Sequence, residues 1–229
     1  MTGPLSGEPR EMAAAAIAYA KPRLRGWLHL VTSPLALASG LVLIVLAPTA
    51  PATAAALAYT VTAVVLFTTS AVYHRGNWSP QVEQWLKRVD HANIFFLIAG
   101  TYTPFAVLAL RGDVRIALLA AVWSLAVAGA AFRVVWVEAP RWLYTPMYIG
   151  LGWAAAFVTP QLLHGEGVTA FVLMCVGGFC YTAGGVVYAL KRPNPSPRWF
   201  GFHEVFHALT VAGFVCQYVA ASFVVYRAA

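Results

Sequence analysis

Two histidines near the end of the chain have the spacing of a metal site. His203 and His207 are four residues apart, and the run from Val205 to Tyr226 contains no Asp, Glu, Lys or Arg. Such a run is long enough to span a membrane as a helix, on which residues i and i+4 share one face. Two imidazoles placed in this way can hold one zinc ion, and a polar pair inside a bilayer usually has a partner.

The composition is that of a polytopic membrane protein. The 229 residues are 60% hydrophobic and only 10% charged, which excludes an ordinary soluble domain. The net charge is +7, but the basic residues lie in short clusters between apolar runs. They indicate contact with anionic lipid head groups on the cytoplasmic side, and not with nucleic acid. Cys175, Cys180 and Cys216 lie inside apolar runs and are interpreted as small buried side chains.

Seven apolar runs predict an all-α fold, a bundle of seven transmembrane helices. A polar segment with two tryptophans, residues 75–89, follows the second run and is predicted as an interfacial loop. Residues 1–25 are predicted as a cytoplasmic tail with a short interfacial helix, and residues 26–229 as the membrane domain. The predicted spans are 27–47, 52–74, 90–110, 115–136, 142–163, 168–190 and 200–226.

The basic residues orient the predicted bundle. With the N-terminus inside, twelve Lys and Arg fall in the inner segments, and only Arg111, Arg115 and Arg227 fall in the outer ones. Because cytoplasmic loops carry the excess of basic residues, the N-terminus is expected in the cytoplasm and the C-terminus outside. The expected location is the cell's inner (plasma) membrane. The sequence carries no indication of oligomeric state.

This orientation brings polar residues from three predicted helices to one depth. His74 ends span two, Asp90 lies in the first turn of span three, and His203 and His207 lie in the first turns of span seven. Three neutral imidazoles would leave a fourth zinc position for water, as in catalytic sites. Asp90 could hold that water or accept its proton. Ser70, one turn before His74, is a candidate hydrogen-bonding partner.

Four segments together resemble the motifs of a known family. They are Ser70-x-x-x-His74, Asp90-x-x-x-Ile94, Ala99-Gly-Thr-Tyr-Thr-Pro-Phe105 and His203-x-x-x-His207. The resemblance is to the hemolysin III (TrhA) family, the bacterial branch of the progestin and adipoQ receptor (PAQR) superfamily, and it covers residues 26–226. It implies seven spans and a zinc ion held by His74, His203 and His207. It also implies that Asp90 and Ser70 lie around the zinc-bound water.

The other histidines are interpreted as lying outside the site. His29, His91 and His164 are each predicted to be hydrogen-bonded side chains at the membrane interface. Of these three, His29 is predicted to lie nearest to the site, because it is near the inner end of span one, at the depth of the other polar residues. In a simpler alternative, Asp90 is the ion-pair partner of Lys87 or Arg88.

The same helix also fits a metalloprotease pattern. His203-Glu204-x-x-His207 matches H-E-x-x-H, in which the glutamate is the general base. A protease of this kind would need a further ligand from another span and would leave His74 without a role. Glu204 is therefore interpreted as a replaceable neighbour of the site, and not as a ligand.

Two classes of function remain open at this point. A zinc site facing the inner leaflet suits hydrolysis of a lipid amide or ester, and the resemblance implies a ceramidase-like reaction. Alternatively, the zinc is structural and the protein is a membrane sensor without enzymatic activity. The resemblance to TrhA implies a part in membrane lipid homeostasis. The family name also implies a cytolysin, but no segment of the sequence looks secreted or pore-forming.

Overall fold

The computed structural model describes residues 21–228, which form eight α-helices. A 3₁₀ helix, Ala154–Val158, joins the fifth to the sixth. Most of the predicted N-terminal tail, residues 1–20, lies outside the described residues. The helices are α1 (Trp27–Val45), α2 (Ala50–Arg75), α3 (Pro80–Ala109), α4 (Gly112–Val135), α5 (Arg141–Gly152), α6 (Thr159–Glu166), α7 (Val168–Leu190) and α8 (Phe202–Tyr226).

Six of these helices are long and apolar enough to cross a membrane: α1, α2, α3, α4, α7 and α8. Large apolar side chains on their outer faces are exposed, including Val45 at 77% and Phe179 at 61%. Exposed apolar faces of this extent on several helices are those of a protein surrounded by lipid. The chain is therefore a multi-pass membrane protein with an all-α fold.

The predicted interfacial loop is wrong in its second half, because α3 begins at Pro80. Ser79 caps this helix, its hydroxyl accepting a hydrogen bond from the Val82 amide at 3.5 Å. Proline is favoured in the first turn, where its missing N–H is not needed. The polar composition of residues 80–89 concealed a helix that extends beyond the apolar run. Asp90 thus lies about three turns inside α3, and not in its first turn.

The predicted fifth span, 142–163, is not one continuous helix, because residues 141–166 form a broken segment of three short helices. Pro160 has no N–H with which to continue a helical ladder across the break. The Tyr102 hydroxyl bridges the interruption: it donates to the Gly152 carbonyl at 2.6 Å and accepts from the Ala155 amide at 2.9 Å. Interrupted backbone is tolerated at membrane depth where protein groups satisfy it in this way.

Helix α8 packs against four other helices of the bundle. Helices adjacent in sequence pack along α1–α2, α2–α3, α3–α4 and α7–α8, while α8 also contacts α1, α2 and α3. Close approach within the α1–α2 pair depends on Gly40, where a Cβ atom would lie 2.1 Å from the Thr60 Cγ2. Within the contact between α8 and α2, the first turns of α8 face the last turns of α2.

The segment before α1 is tied to the loop before α8. The amides of Arg23 and Leu24 donate to the carbonyls of Arg198 and Trp199 at 3.0 and 3.1 Å. The Arg23 guanidinium also lies 4.6 Å from the Trp199 ring centroid. These contacts bring residues 23–25, predicted as the end of a free tail, against the end of the bundle where α8 begins.

Candidate metal centre

Three histidines from α2 and α8 meet inside the bundle. His74 lies in the last turn of α2, and His203 and His207 lie one turn apart at the start of α8. The Nε2 atoms of His74 and His203 are 3.1 Å apart, and possible ligand atoms of all three side chains lie within 4.8 Å of one another. All three are buried. The structure thus brings together the three residues that the sequence predicts as ligands.

The spacing of the nitrogens suits a metal ion. In a tetrahedral site with Zn–N distances of about 2.0–2.1 Å, neighbouring nitrogens lie roughly 3.3 Å apart. The 3.1 Å between His74 and His203 is close to that value. The Nδ1 atom of His207 is buried, and no described residue offers it a hydrogen bond. Three buried imidazoles could hold a metal ion, and this donor set suits zinc among other transition metals.

Asp90 lies beside this cluster. Its Oδ2 atom is 3.9 Å from the Nε2 of His74, and the residue is only 8% exposed. Ser70 is buried and lines the same cavity as Asp90. Lys87, one of the two basic residues considered as its partner, instead pairs with Glu138 at 3.3 Å. Asp90 therefore lies next to His74, and Ser70 lines the same cavity as Asp90, His203 and His207.

Glu204 has a role that the sequence interpretation missed. Its carboxylate forms an ion pair with the Arg25 guanidinium and accepts a hydrogen bond from the Gly201 amide at 2.8 Å. The residue is 1% exposed. Glu204 is thus no replaceable neighbour: it fastens the first turn of α8 to the segment before α1. A glutamate three residues after Gly201, at the N3 position of the helix, was the available signal.

His29 packs against this cluster, although it is not one of the three residues whose ligand atoms lie within 4.8 Å of one another. Its ring stacks on that of His207, with centroids 3.8 Å apart and planes 7° from parallel. It is 2% exposed and neither of its nitrogens has a hydrogen-bond partner among the described residues, so the predicted hydrogen-bonded side chain is wrong. Just before it, Gly26 has φ of 80°, and a Cβ atom there would lie 2.7 Å from the His74 Cβ. A side chain at residue 26 would therefore strain the backbone and displace a candidate ligand.

His91 belongs to a separate buried network. Its Nδ1 is 2.9 Å from the Arg133 Nη2, and its Nε2 is 3.3 Å from the Tyr188 hydroxyl. His91 is 7% exposed and Arg133 is 0% exposed, so both are buried inside the protein. The sequence counts Arg133 among the basic residues of the inner segments, at the end of the predicted span 115–136, and no local pattern indicates its burial. His164 is exposed on α6 and stays outside both networks.

A cavity of about 190 Å³ adjoins the histidines. Its walls come from α3, the broken segment 141–166, α7 and α8, and they are mostly apolar and aromatic. Asp90 and Phe105 both line it and are fifteen residues apart on one helix, about 22 Å along the axis. Among the described residues that line the cavity, Asp90 is the only acidic one and none is Lys or Arg. The cavity thus has one polar end and a long apolar remainder.

Comparison with known proteins identifies the family. Residues 17–218 match the family described as Haemolysin-III related. Hemolysin-3 of Bacillus cereus is 30% identical over 177 residues, which cover 77% of this chain and 78% of that protein. The hemolysin-3 homolog of Bacillus subtilis (strain 168) is 36% identical over 118 residues, 51% and 55% of the two chains.

More distant similarity extends to an animal protein. The monocyte to macrophage differentiation factor of Homo sapiens is 24% identical over 166 residues, which cover 71% of this chain and 66% of that protein. The family match covers most of the chain, including α1 to α7 and most of α8. It confirms the resemblance carried by the four sequence motifs: the chain belongs to the haemolysin III family.

Proposed function

We propose that this protein is a zinc-dependent membrane hydrolase that cleaves a lipid amide or ester and acts in membrane lipid homeostasis. The observation that carries the proposal is that His203, His207 and Asp90 line one end of a long, mostly apolar cavity, with His74 in contact with His203 beside it. An apolar cavity with a few convergent polar groups is the usual form of a small-molecule site. A lipid has the matching shape, with one polar end and an extended apolar remainder.

We further propose that the chain crosses the membrane seven times, with the N-terminus in the cytoplasm of the cell and residues 26–229 as the membrane domain. Contacts at both ends of the segment 141–166 support a seventh crossing. The Arg141 guanidinium donates to the Tyr188 carbonyl at 3.2 Å, at the end of α7 near the histidines. A Cβ atom on Gly165 would lie 2.3 Å from the Ala109 carbonyl oxygen, at the opposite end of α3. The broken segment therefore runs from one end of the bundle to the other.

In the proposed reaction, His74, His203 and His207 hold the zinc ion through imidazole nitrogens. When bound, zinc supplies Lewis-acid chemistry and an activated water near neutral pH. The Asp90 carboxylate, beside His74, accepts a proton at Oδ2, and the Ser70 hydroxyl is its proposed hydrogen-bonding partner. The apolar walls exclude bulk water, which strengthens electrostatic interactions at the polar end of the cavity.

The substrate is proposed to enter sideways from the lipid, between α5 and α7. Gly178, Thr182 and Gly185 lie on one face of α7, line the cavity and are all partly exposed. Gly178 has no side chain, and a Cβ atom built there would meet no other atom within 4 Å. From the facing segment, Trp153 donates to the Thr182 hydroxyl at 3.0 Å. Because the rest of the wall is apolar, ceramide-like amides and fatty esters are the first candidates.

A second function, a sensor or structural protein with a structural metal, is favoured by one observation. The histidine cluster lies where three helices are already joined: His29 of α1 stacks on His207 of α8, and His74 comes from α2. A metal ion there would fasten α2 to α8. In this alternative, Asp90 serves the stability of the cluster and carries out no reaction.

The test is to offer purified, zinc-loaded protein a panel of lipid amides and esters and to measure released fatty acid. Asp90→Asn should keep its zinc and lose about 10²–10⁴-fold in rate, as loss of a general base does. Asp113→Asn, an exposed substitution in the first turn of α4, is the matched control and should retain full activity. No release by wild type, with Asp90→Asn still complementing a deletion strain, would favour the sensor.

A further inference from the structure

A second pocket, of about 450 Å³, opens at the end of the bundle near the histidines. It lies among the last turns of α4 and α7, the start of α5 and the connection between α4 and α5. Among the described residues that line it, one is acidic, Glu138, and four are basic: Lys87, Arg133, Arg141 and Lys191. This excess of positive charge plays no part in the candidate metal centre.

The charge on Arg133 lacks a counter-charge. The side chain is 0% exposed, and its guanidinium donates to the carbonyls of Trp136 and Val137, each at 3.0 Å. Its Nε has no hydrogen-bond partner in the described part of the chain. None of the ion pairs found between residues 21 and 228 includes Arg133. A buried charge is usually paired, so the pocket beside this one lacks an anion that would stabilise it.

Two other cations are held at the pocket walls by the backbone and by aromatic rings. The Arg141 guanidinium lies 4.4 Å from the Tyr188 ring centroid and donates to the Tyr188 carbonyl. Lys191 has φ of 56°, a left-handed conformation at the end of α7 where glycine is usual. A long basic side chain thus occupies a backbone position that glycine would fill with less strain. Lys87 is partly exposed and forms an ion pair with Glu138 at 3.3 Å.

We propose that this pocket binds the phosphate of an anionic lipid head group. Guanidinium and ammonium groups are the side chains that recognise phosphate in proteins. The surroundings point to a lipid as its source, because Trp142 is 73% exposed and Trp136 is 49% exposed beside the pocket. Exposed tryptophans at helix ends mark the level of the membrane where head groups lie, and basic pockets between helices bind anionic head groups there.

The pocket is separated from the histidine cavity by a thin wall. Tyr144 and Tyr188, whose hydroxyl oxygens are 3.2 Å apart, line both spaces. The Tyr188 hydroxyl is also hydrogen-bonded to His91, which lines the cavity. A head group in the basic pocket would therefore lie directly behind the cavity wall. The proposal rests on the charges of the pocket and on the exposed tryptophans beside it, and it holds whether or not the protein is a hydrolase.

The test measures binding of three probes to the purified full chain in a neutral detergent: dihexanoyl phosphatidylglycerol, dihexanoyl phosphatidylcholine and inorganic phosphate. The anionic lipid should bind most tightly, and Lys191→Gln or Lys87→Gln should each weaken it about fivefold, the effect of one basic residue near a lipid surface. Glu138→Gln should strengthen binding, since it removes the only acidic lining residue. Lys87, Glu138 and Lys191 are partly or fully exposed, so these variants should fold. A variant of the buried Arg133 would not be expected to fold.

Arg115→Gln is the matched control, because it removes one exposed charge from the opposite end of α4. Its binding should equal that of the wild type. Equal binding of the anionic and zwitterionic lipids, or equal losses in Arg115→Gln and Lys191→Gln, would overturn the proposal. Binding of inorganic phosphate as tight as that of the anionic lipid would overturn the assignment to a lipid and identify free phosphate as the ligand.

Discussion

The imidazole of His29 lies flat against the imidazole of His207, with ring centroids 3.8 Å apart. Neither nitrogen of His29 has a hydrogen-bond partner among the described residues, and Phe67 contacts its ring edge at 5.0 Å between centroids. The contribution of His29 to the cluster is therefore the contact of a flat ring, which fixes the orientation of a candidate ligand. Helix α1 supports the cluster without supplying a ligand.

The first prediction compares two substitutions of His29. His29→Phe keeps a flat ring against His207 and removes two buried nitrogens, so zinc affinity should stay within about twofold of the wild-type value. His29→Ala leaves a gap, and zinc affinity should fall about 10–100-fold, as for other residues that orient ligands. Competition with a chromophoric chelator measures both. An equally large loss in His29→Phe would make His29 a ligand.

The second prediction concerns metal content. Wild-type protein should bind one zinc ion per chain, and His207→Ala should lose it, because two imidazoles cannot complete the site. Chelation should lower the thermal unfolding temperature, since structural zinc contributes on the order of 10–16 kcal/mol in small peptides. Elemental analysis gives the stoichiometry, with the exposed His164→Ala as the control. Full zinc content in His207→Ala would disprove the assignment.

The third prediction separates a structural Glu204 from a catalytic one. Glu204→Gln should destabilise the protein by about 1–3 kcal/mol, less than the loss of a fully buried pair, because Arg25 is 19% exposed. In a double-mutant cycle with Arg25→Gln, the two losses should be strongly non-additive, because each removes the same ion pair. If Glu204 were the base of a metalloprotease, Glu204→Gln would instead abolish activity and leave stability unchanged.

The fourth prediction concerns the break in the segment 141–166. Tyr102→Phe removes the hydroxyl that bonds the Gly152 carbonyl and the Ala155 amide, so two backbone groups lose their partner. The expected loss of stability is about 1–3 kcal/mol, the cost of leaving buried polar groups unpaired. Thermal unfolding in detergent is the measurement, and Tyr226→Phe, at a 40% exposed tyrosine, is the control. Equal stability of the two variants would mean that water replaces the hydroxyl.

Hydropathy and helical spacing predicted much of the molecule. Six apolar runs became helices whose bounds, apart from the start of α3, are close to those expected, since length and apolar content determine them locally. The four-residue spacing of His203 and His207 places them on one helix face wherever that helix packs. The predicted directions of the spans were enough to place His74 near this pair, because α2 ends on the side of the bundle on which α8 begins.

The features that the sequence did not predict depend on partners distant in the chain. Glu204 pairs with a residue 179 positions away, and His91 contacts Arg133 across 42 positions. A local sequence pattern does not reveal contacts between residues so far apart in the chain. The broken fifth segment likewise depends on Tyr102, 50 residues before the carbonyl that it binds. The start of α3 was missed for a different reason, because apolar content indicates where a helix is in lipid and not where it begins.

The last prediction concerns the number of crossings. With seven crossings and a cytoplasmic N-terminus, reporter fusions after residues 50, 80, 112, 139, 165, 195 and 229 should alternate, beginning outside. The decisive pair is 139 and 165, on either side of the broken segment. Its ends contact Tyr188 near the histidines and Ala109 at the far end of α3, so the two fusions should report opposite sides.

Cysteine labelling at the same positions is an independent check, because a fusion partner can disturb a broken helix. If 139 and 165 were both labelled from the cytoplasm, the segment would not cross, and six crossings would place the C-terminus inside. The ends of α2 and α8 that carry the histidines would then lie on opposite sides of the membrane. Since His74 and His203 approach to 3.1 Å, that topology would also contradict the candidate metal centre.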